Sequence, residues 1–175
     1  FYSETDLAWL PTVGIHPLWD VKTSTKMVLT APCRIWYVGA HVKGSDGQRL
    51  HRQYPCVVDV FEPVAPFLDS VREIWTGLGL DRGRYHTYGL AAADRTVRSI
   101  PLLAGHNGAA TFAMKSTSES QPTPAPWLRS TDSVSVDIKL RSVMTVWQEL
   151  AEGKVDAIYL NCEGCEYEVL PAMLE

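Results

Sequence analysis

The sequence predicts an α/β fold built on a mostly parallel sheet, and three observations carry that reading. Apolar runs rich in β-branched and aromatic residues recur as CRIWYVGA at 33–40, CVVDVFE at 56–62 and AIYLNC at 157–162. Runs of this length suit strands buried on both faces. Between them lie stretches whose apolar residues fall at helical spacing, and strands alternating with helices call for a parallel sheet. At 175 residues the chain has the length of one domain.

In chain order, residues 1–32 have no clear period and carry Pro11, Pro17 and Pro32. They read as an extension with at most short helices, because proline interrupts longer ones. The first strand follows at 33–40 and the second at 56–62. After Pro66, residues Phe67, Val71, Ile74, Trp75 and Leu78 form one helical stripe, which Gly77 and Gly79 stop. Residues 84–91 (RYHTYGLA) read as a third strand. Residues 105–133 are rich in Gly, Ser, Thr and Pro and read as a long loop. Residues 134–140 (VSVDIKL) alternate apolar and polar, as a half-exposed strand does. Ser142 is then placed to cap a helix with Val143, Val146, Trp147 and Leu150 on one face, ended by Gly153. After the strand at 157–162, Tyr167, Leu170 and Leu174 follow at helical spacing.

Composition excludes several classes. Hydrophobic residues make up 46% and charged residues 21%, as in ordinary globular domains. The formal charge is −4 with no basic stripe, which argues against a nucleic-acid binder. No apolar run approaches the ~18 residues of a membrane-spanning helix. Cys33, Cys56, Cys162 and Cys165 are too few for a disulfide scaffold at this size and are expected as free thiols. The Cys162-Glu163-Gly164-Cys165 stretch lacks a second ligand pair, so packing is favoured over a metal or redox role. Nothing in the sequence fixes the compartment. Trp75 and Trp147 belong to the core stripes, whereas Trp9, Trp19 and Trp127 lie outside recognisable core elements and suit anchors for a partner.

In an open parallel sheet, ligands bind outside the carboxyl ends of the strands. The residues there are Gly39-Ala40-His41, Glu62-Pro63, Leu90-Ala91-Ala92 and Asn161-Cys162-Glu163-Gly164. Gly39 permits a tight turn and close approach of a ligand to the backbone. Glu62 follows Gly39 by 23 residues, near the ~20 expected of an acid that holds a nucleotide ribose. The alternative is an ordinary turn with a solvated acid. His41 and His86 are the histidines nearest these ends. Glu163 and Glu166 begin a helix, where acids also stabilise the dipole.

Three blocks in order bear a family resemblance: CRIWYVGA, VVDVFEP and VDAIYLNCEGCEYEVL, with RYHTYGLAAADRTV between the last two. Over residues 33–175 the chain resembles the FkbM-type S-adenosylmethionine-dependent methyltransferases. The resemblance implies a Rossmann-like class I methyltransferase domain at 33–175, preceded by the extension at 1–32. The chain stops short of the C-terminal strands that complete the family's sheet. It also implies S-adenosylmethionine as cofactor, with Gly39 and Ala40 against its methionine part, Glu62 on its ribose and Ala91 and Ala92 near its adenine. Asn161 to Glu166 face the transferred methyl group, and His41, Asn161 and Glu163 are the catalytic candidates. No metal is implied.

The chain departs from the family at three places. Tyr37 replaces the usual Asp, His41 the usual Asn, and Tyr159-Leu160-Asn161 the usual Lys-Ile-Asp. Two functions are therefore expected as alternatives. One is methyl transfer to the oxygen of a small-molecule or sugar hydroxyl, with His41 or Glu163 as base. The other is a catalytically degenerate methyltransferase fold serving as a structural subunit, held to a protein partner through 1–32 and 105–133. In the first, residues 105–133 form a lid over the substrate.

Overall fold

A computed structural model describes residues 28–102, 134–150, 154–162 and 164–174. Residues 1–27, 103–133 with Trp127, Gly153 and Glu163 lie outside the described residues, and with them the expected extension, long loop, helix stop and catalytic acid. The elements are β1 (Arg34–Val38), α1 (Ser45–Gln53), β2 (Val57–Phe61), α2 (Ala65–Gly77), β3 (Gly83–His86), β4 (Gly89–Ala91), β5 (Arg95–Leu102), β6 (Val134–Ser142), α3 (Val143–Leu150), β7 (Ala157–Leu160) and α4 (Glu166–Leu174).

Four strands form one parallel sheet in the order β3-β2-β1-β7. Residues of β1 alternate between two apolar layers. Ile35 and Tyr37 join Val58 and Val60 of β2, Leu50 of α1, and Leu68, Val71 and Trp75 of α2. Trp36 and Val38 join Phe61, Val143 and Val146 of α3, and Val169 of α4. Helices thus cover both faces of β1 and β2, which explains why these strands read as continuous apolar runs. Trp36 anchors the second layer, with Phe61 and Trp147 edge-on at 5.2 and 5.5 Å between ring centroids.

One buried charge crosses this layer. Asp59 accepts from His86 Nε2 at 2.8 Å, and its other oxygen lies 3.1 Å from Arg34 Nε, as an ionic contact rather than an aligned hydrogen bond. His86 stacks on Phe61 at 4.7 Å. The pairing matters because an isolated buried carboxylate would be strongly disfavoured.

The predicted third strand divides in two. Residues 83–86 pair with β2, whereas residues 89–91 leave the sheet and pair with β6. There they form a second, three-stranded sheet in the order β4-β6-β5, with β5 antiparallel to β6. Gly89 permits this departure, since a Cβ there would meet Leu140 Cδ2 at 2.7 Å. The alternation expected for 134–140 holds where burial is described, with Ile138 and Leu140 inward and Asp137 and Lys139 outward. Neither α1 nor β5 was expected from the sequence.

Two helical faces differ from the predicted stripes. In α2 the buried line is Leu68, Val71 and Trp75, and Leu78 is 48% exposed. In α4, Val169 faces the core with Ala172 and Met173 beside it, while Tyr167 is 86% exposed. The α3 face is as predicted, and Ser142 Oγ accepts from Thr145 N at 3.4 Å.

The expectation of four free thiols is corrected: Cys33 is bonded to Cys56 and Cys162 to Cys165. Cys33 and Cys56 directly precede β1 and β2, whose register aligns Arg34 with Val57. Parallel pairing therefore brings their Cα atoms to 4.6 Å, inside the range a disulfide spans.

Candidate functional site

The order β3-β2-β1-β7 places the change of winding direction between β1 and β7. A crevice at such a point, outside the carboxyl ends of the strands, is where open α/β sheets take ligands. The β1–α1 loop begins there. Gly39, His41 and Gly44 all have positive φ, at 85°, 55° and 56°. His41 is the non-glycine residue among them. A histidine is among the side chains that tolerate this region better than most, at a cost of order 1–3 kcal/mol.

Glu62 holds this loop in place. Its Oε2 accepts from His41 N at 2.8 Å and its Oε1 from Val64 N at 3.0 Å, so one carboxylate ties the β1–α1 loop to the start of α2. Glu62 N donates to His86 O at 3.1 Å. The side chain is no solvated turn acid: the residue is only 5% exposed. Burial pushes its carboxyl pKa up, and the two backbone donors pull partly in the other direction. Each carboxylate oxygen has two acceptor directions, so Glu62 retains capacity beyond these two bonds.

His41 leans against Phe67 of α2 at 5.2 Å, and its Nε2 is buried with no hydrogen-bond partner among the described residues. A buried polar atom without a partner calls for an explanation such as a ligand. Phe67 was read from sequence as one position of a core stripe. Its contact with His41 had no signal in the spacing.

Gly39 has a second role. A Cβ at this position would run into the Asn161 carbonyl and lie 2.9 Å from Cys162 Cα. The missing side chain therefore lets the ends of β1 and β7 approach, with Gly39 N donating to Phe61 O and Asn161 N to Val38 O. Asn161 is exposed at this edge, and Ala40 is buried behind it. Gly39, Ala40, His41, Glu62 and Asn161 are thus brought to one end of the sheet. Ala91 is fully buried with Val64, Ile138 and Leu140, whereas Ala92 is exposed at the end of β4 in the smaller sheet. Glu163 lies outside the described residues.

The turn after Asn161 is clasped by Glu166, a role that neither its helix-start position nor the family resemblance indicates. Its Oε1 accepts from Cys162 N at 3.0 Å and its Oε2 from Gly164 N at 2.8 Å. Two tyrosines meet nearby. Tyr37 and Tyr159 are register partners with rings edge-on at 5.5 Å. Tyr159 donates to Asp46 of α1 at 2.8 Å, and burial followed by this bond pushes its pKa up to about 12. Burial also raises the Tyr37 pKa. Both phenols are therefore neutral at ordinary pH.

Beside Glu62, a surface hollow of about 430 Å³ is lined by Pro63, Val64, Ala65, Pro66, Thr87, Val136, Asp137 and Lys139. Its volume falls within the range of small-molecule sites. Among the described residues no cluster of His, Cys, Asp and Glu is arranged to hold a metal, and no helix is long and apolar enough to cross a membrane. No family model, curated protein or solved structure matches this chain.

Proposed function

We propose that this chain binds S-adenosylmethionine and transfers its methyl group to an oxygen, as a methyltransferase of the Rossmann-like class I type acting on a small-molecule or sugar hydroxyl. The observation that carries the reading is Glu62. It is a buried acid at the carboxyl end of β2, beside the glycine turn of β1, with acceptor capacity left after its two backbone bonds. That is the chemistry needed to accept from both hydroxyls of a ribose.

The residues present fit such a cofactor. Gly39 and Ala40 would lie along its amino-acid part, Glu62 would hold its ribose, and the rim at Ala92 and Pro63 would border its base. When bound, S-adenosylmethionine supplies an electrophilic methyl group on a sulfonium. The chain's own share is to orient and to move a proton. Glu62 fixes the His41 backbone, and Phe67 supports the His41 ring. His41 Nε2, which has no hydrogen-bond partner among the described residues, takes the proton of the acceptor hydroxyl as general base. Asn161 orients the acceptor by hydrogen bonding.

Isothermal titration calorimetry with S-adenosylmethionine tests this reading. Glu62→Ala should weaken binding by about tenfold to a hundredfold, the loss of a charge-assisted acceptor worth roughly 1.5–3 kcal/mol. Equal affinity for both proteins would place the ribose elsewhere.

A second reading rests on Tyr37 and Tyr159. Two neutral phenols pair across the strands where the family carries Asp and Lys. Such a replacement favours a degenerate domain kept for assembly. A folded protein that takes up no S-adenosylmethionine at millimolar concentration would support it.

A further inference from the structure

We infer that Cys162–Cys165 is a thiol–disulfide exchange site on the wall of the strand-end crevice, and that Cys33–Cys56 is a fixed crosslink. The inference does not rest on the cofactor reading.

The two disulfides differ in exposure rather than in surroundings: both pack in apolar layers, and of the four cysteines Cys162 alone is partly exposed. Cys33 and Cys56 are 8% and 0% exposed and are held in the apolar layer of α1 and α2. Their backbones are locked by the sheet, with Val57 N donating to Cys33 O at 2.9 Å. Cys162 and Cys165 close a loop of sequence separation 3 in a turn between β7 and α4. Cys162 is partly exposed, whereas Cys165 is 5% exposed. An incoming thiolate therefore reaches the Cys162 sulfur, and Cys165 is the leaving group.

The turn suits that division of roles. Cys165 directly precedes α4, and its carbonyl accepts from Glu168 N and Val169 N at 3.0 and 2.9 Å. A thiolate released there lies at the positive end of the helix, and stabilised thiolates leave faster. Glu166 Oε1 lies 3.4 Å from Cys162 Sγ and accepts a hydrogen bond from that thiol once the bond is open and the sulfur is protonated. Glu166 also keeps its bonds to Cys162 N and Gly164 N, so the turn need not unravel on reduction.

The reaction balances with a small thiol of the glutathione class. One thiolate attacks Cys162 Sγ, forming a mixed disulfide and releasing the Cys165 thiolate. A second thiolate attacks the small-molecule sulfur of that mixed disulfide. This releases Cys162 as a thiolate and forms the oxidised small disulfide. Two protons end on the two cysteines. The exchange alters the segment on which Gly39 rests, since Cys162 Cα lies where a Gly39 Cβ would come within 2.9 Å.

The test is a redox titration of the unmodified protein in buffers of reduced and oxidised glutathione. Samples are quenched in acid, alkylated with light reagent, reduced, alkylated with heavy reagent and read by peptide mass spectrometry. Cys162 and Cys165 should reach half reduction at a thiol-to-disulfide ratio at least tenfold lower than Cys33 and Cys56. Opening of both pairs together, Cys33–Cys56 opening first, neither pair opening, or free thiols at 162 and 165 at every ratio would each overturn the inference. A second measurement uses oxidised glutathione on single variants. Cys165→Ser should collect a mixed disulfide on Cys162 at least tenfold faster than Cys162→Ser collects one on Cys165. Equal rates would refute the assignment of the attacked sulfur.

Discussion

Removing Cys33–Cys56 should cost more stability than removing Cys162–Cys165, and the margin follows from loop length. A crosslink restricts the unfolded chain in proportion to the logarithm of the loop it closes. The first pair spans a sequence separation of 23 and the second a separation of 3. The chain-entropy relation then gives about 3.4 kcal/mol for the first and about 1.5–2 kcal/mol for the second. For a chain of this size, 3.4 kcal/mol corresponds to a fall in Tm of roughly 7–14 °C. The native side adds to the difference, because Cys56 is fully buried and loses packing when truncated.

Urea unfolding of the double variants C33A/C56A and C162A/C165A against the parent protein measures both terms. The first variant should also show a steeper dependence on urea, since its unfolded chain exposes more surface. A loss below about 1 kcal/mol for C33A/C56A would fall short of the ~2–5 kcal/mol expected for a native disulfide and refute the reasoning. So would a larger loss for C162A/C165A. Thiol counting on denatured, unreduced protein should find none free in the four cysteines.

Gly47→Ala should destabilise the protein although it improves helix propensity. The gain is about 1 kcal/mol in α1, but the new Cβ would lie 2.5 Å from Tyr37 Cδ1 and 2.6 Å from Trp75 Cζ2. Both rings are buried, so an overpacking cost of about 1–3 kcal/mol exceeds the gain, and thermal melts should show a net loss. His51 gives a pH dependence. Its Nε2 accepts from Arg82 N at 3.0 Å, and burial, aided by Arg82, lowers its pKa from 6.5. The unfolded chain therefore binds the proton first as pH falls below 6.5. Stability drops from there down to the folded pKa, and His51→Gln should remove that slope from a Tm–pH series.

Much of the sheet was legible because β1 and β2 are buried on both faces. Continuous apolar runs such as Ile35-Trp36-Tyr37-Val38 have few other destinations. The helix α1 was not legible, since Ser45–Gln53 buries only Gly47, Leu50 and His51 and otherwise presents polar residues. Residues 84–91 misled for a related reason. Strand propensity is high on both sides of Thr87-Tyr88, and nothing local says that the chain changes sheets there. The long-range pairing of Gly89–Ala91 with Leu140–Ser142 of β6 decides it. In α4 the spacing of Tyr167, Leu170 and Leu174 matched a helix but named the wrong face. Val169 lies one layer from Trp36 and Val38, and that tertiary contact sets the rotation.

The cysteines show what spacing can and cannot carry. Cys33 and Cys56 each open a predicted strand, so parallel pairing already implied neighbouring amino ends. The inference to free thiols came from their number, which bears on redox compartment and not on geometry. At the site the balance is reversed. The interval from Gly39 to Glu62 pointed to an acid for a nucleotide ribose, and the structure shows that acid bonded to His41 N and Val64 N. The interval left open whether the acid was solvated, because burial depends on Val64 and His41 donating to it across two loops. The left-handed backbone at His41 had no signal in the spacing, although histidine is among the side chains that tolerate that region. The position therefore demands a conformation before it demands a catalytic group. His41 becomes a base only if a hydroxyl occupies the space at its Nε2, which has no partner among the described residues.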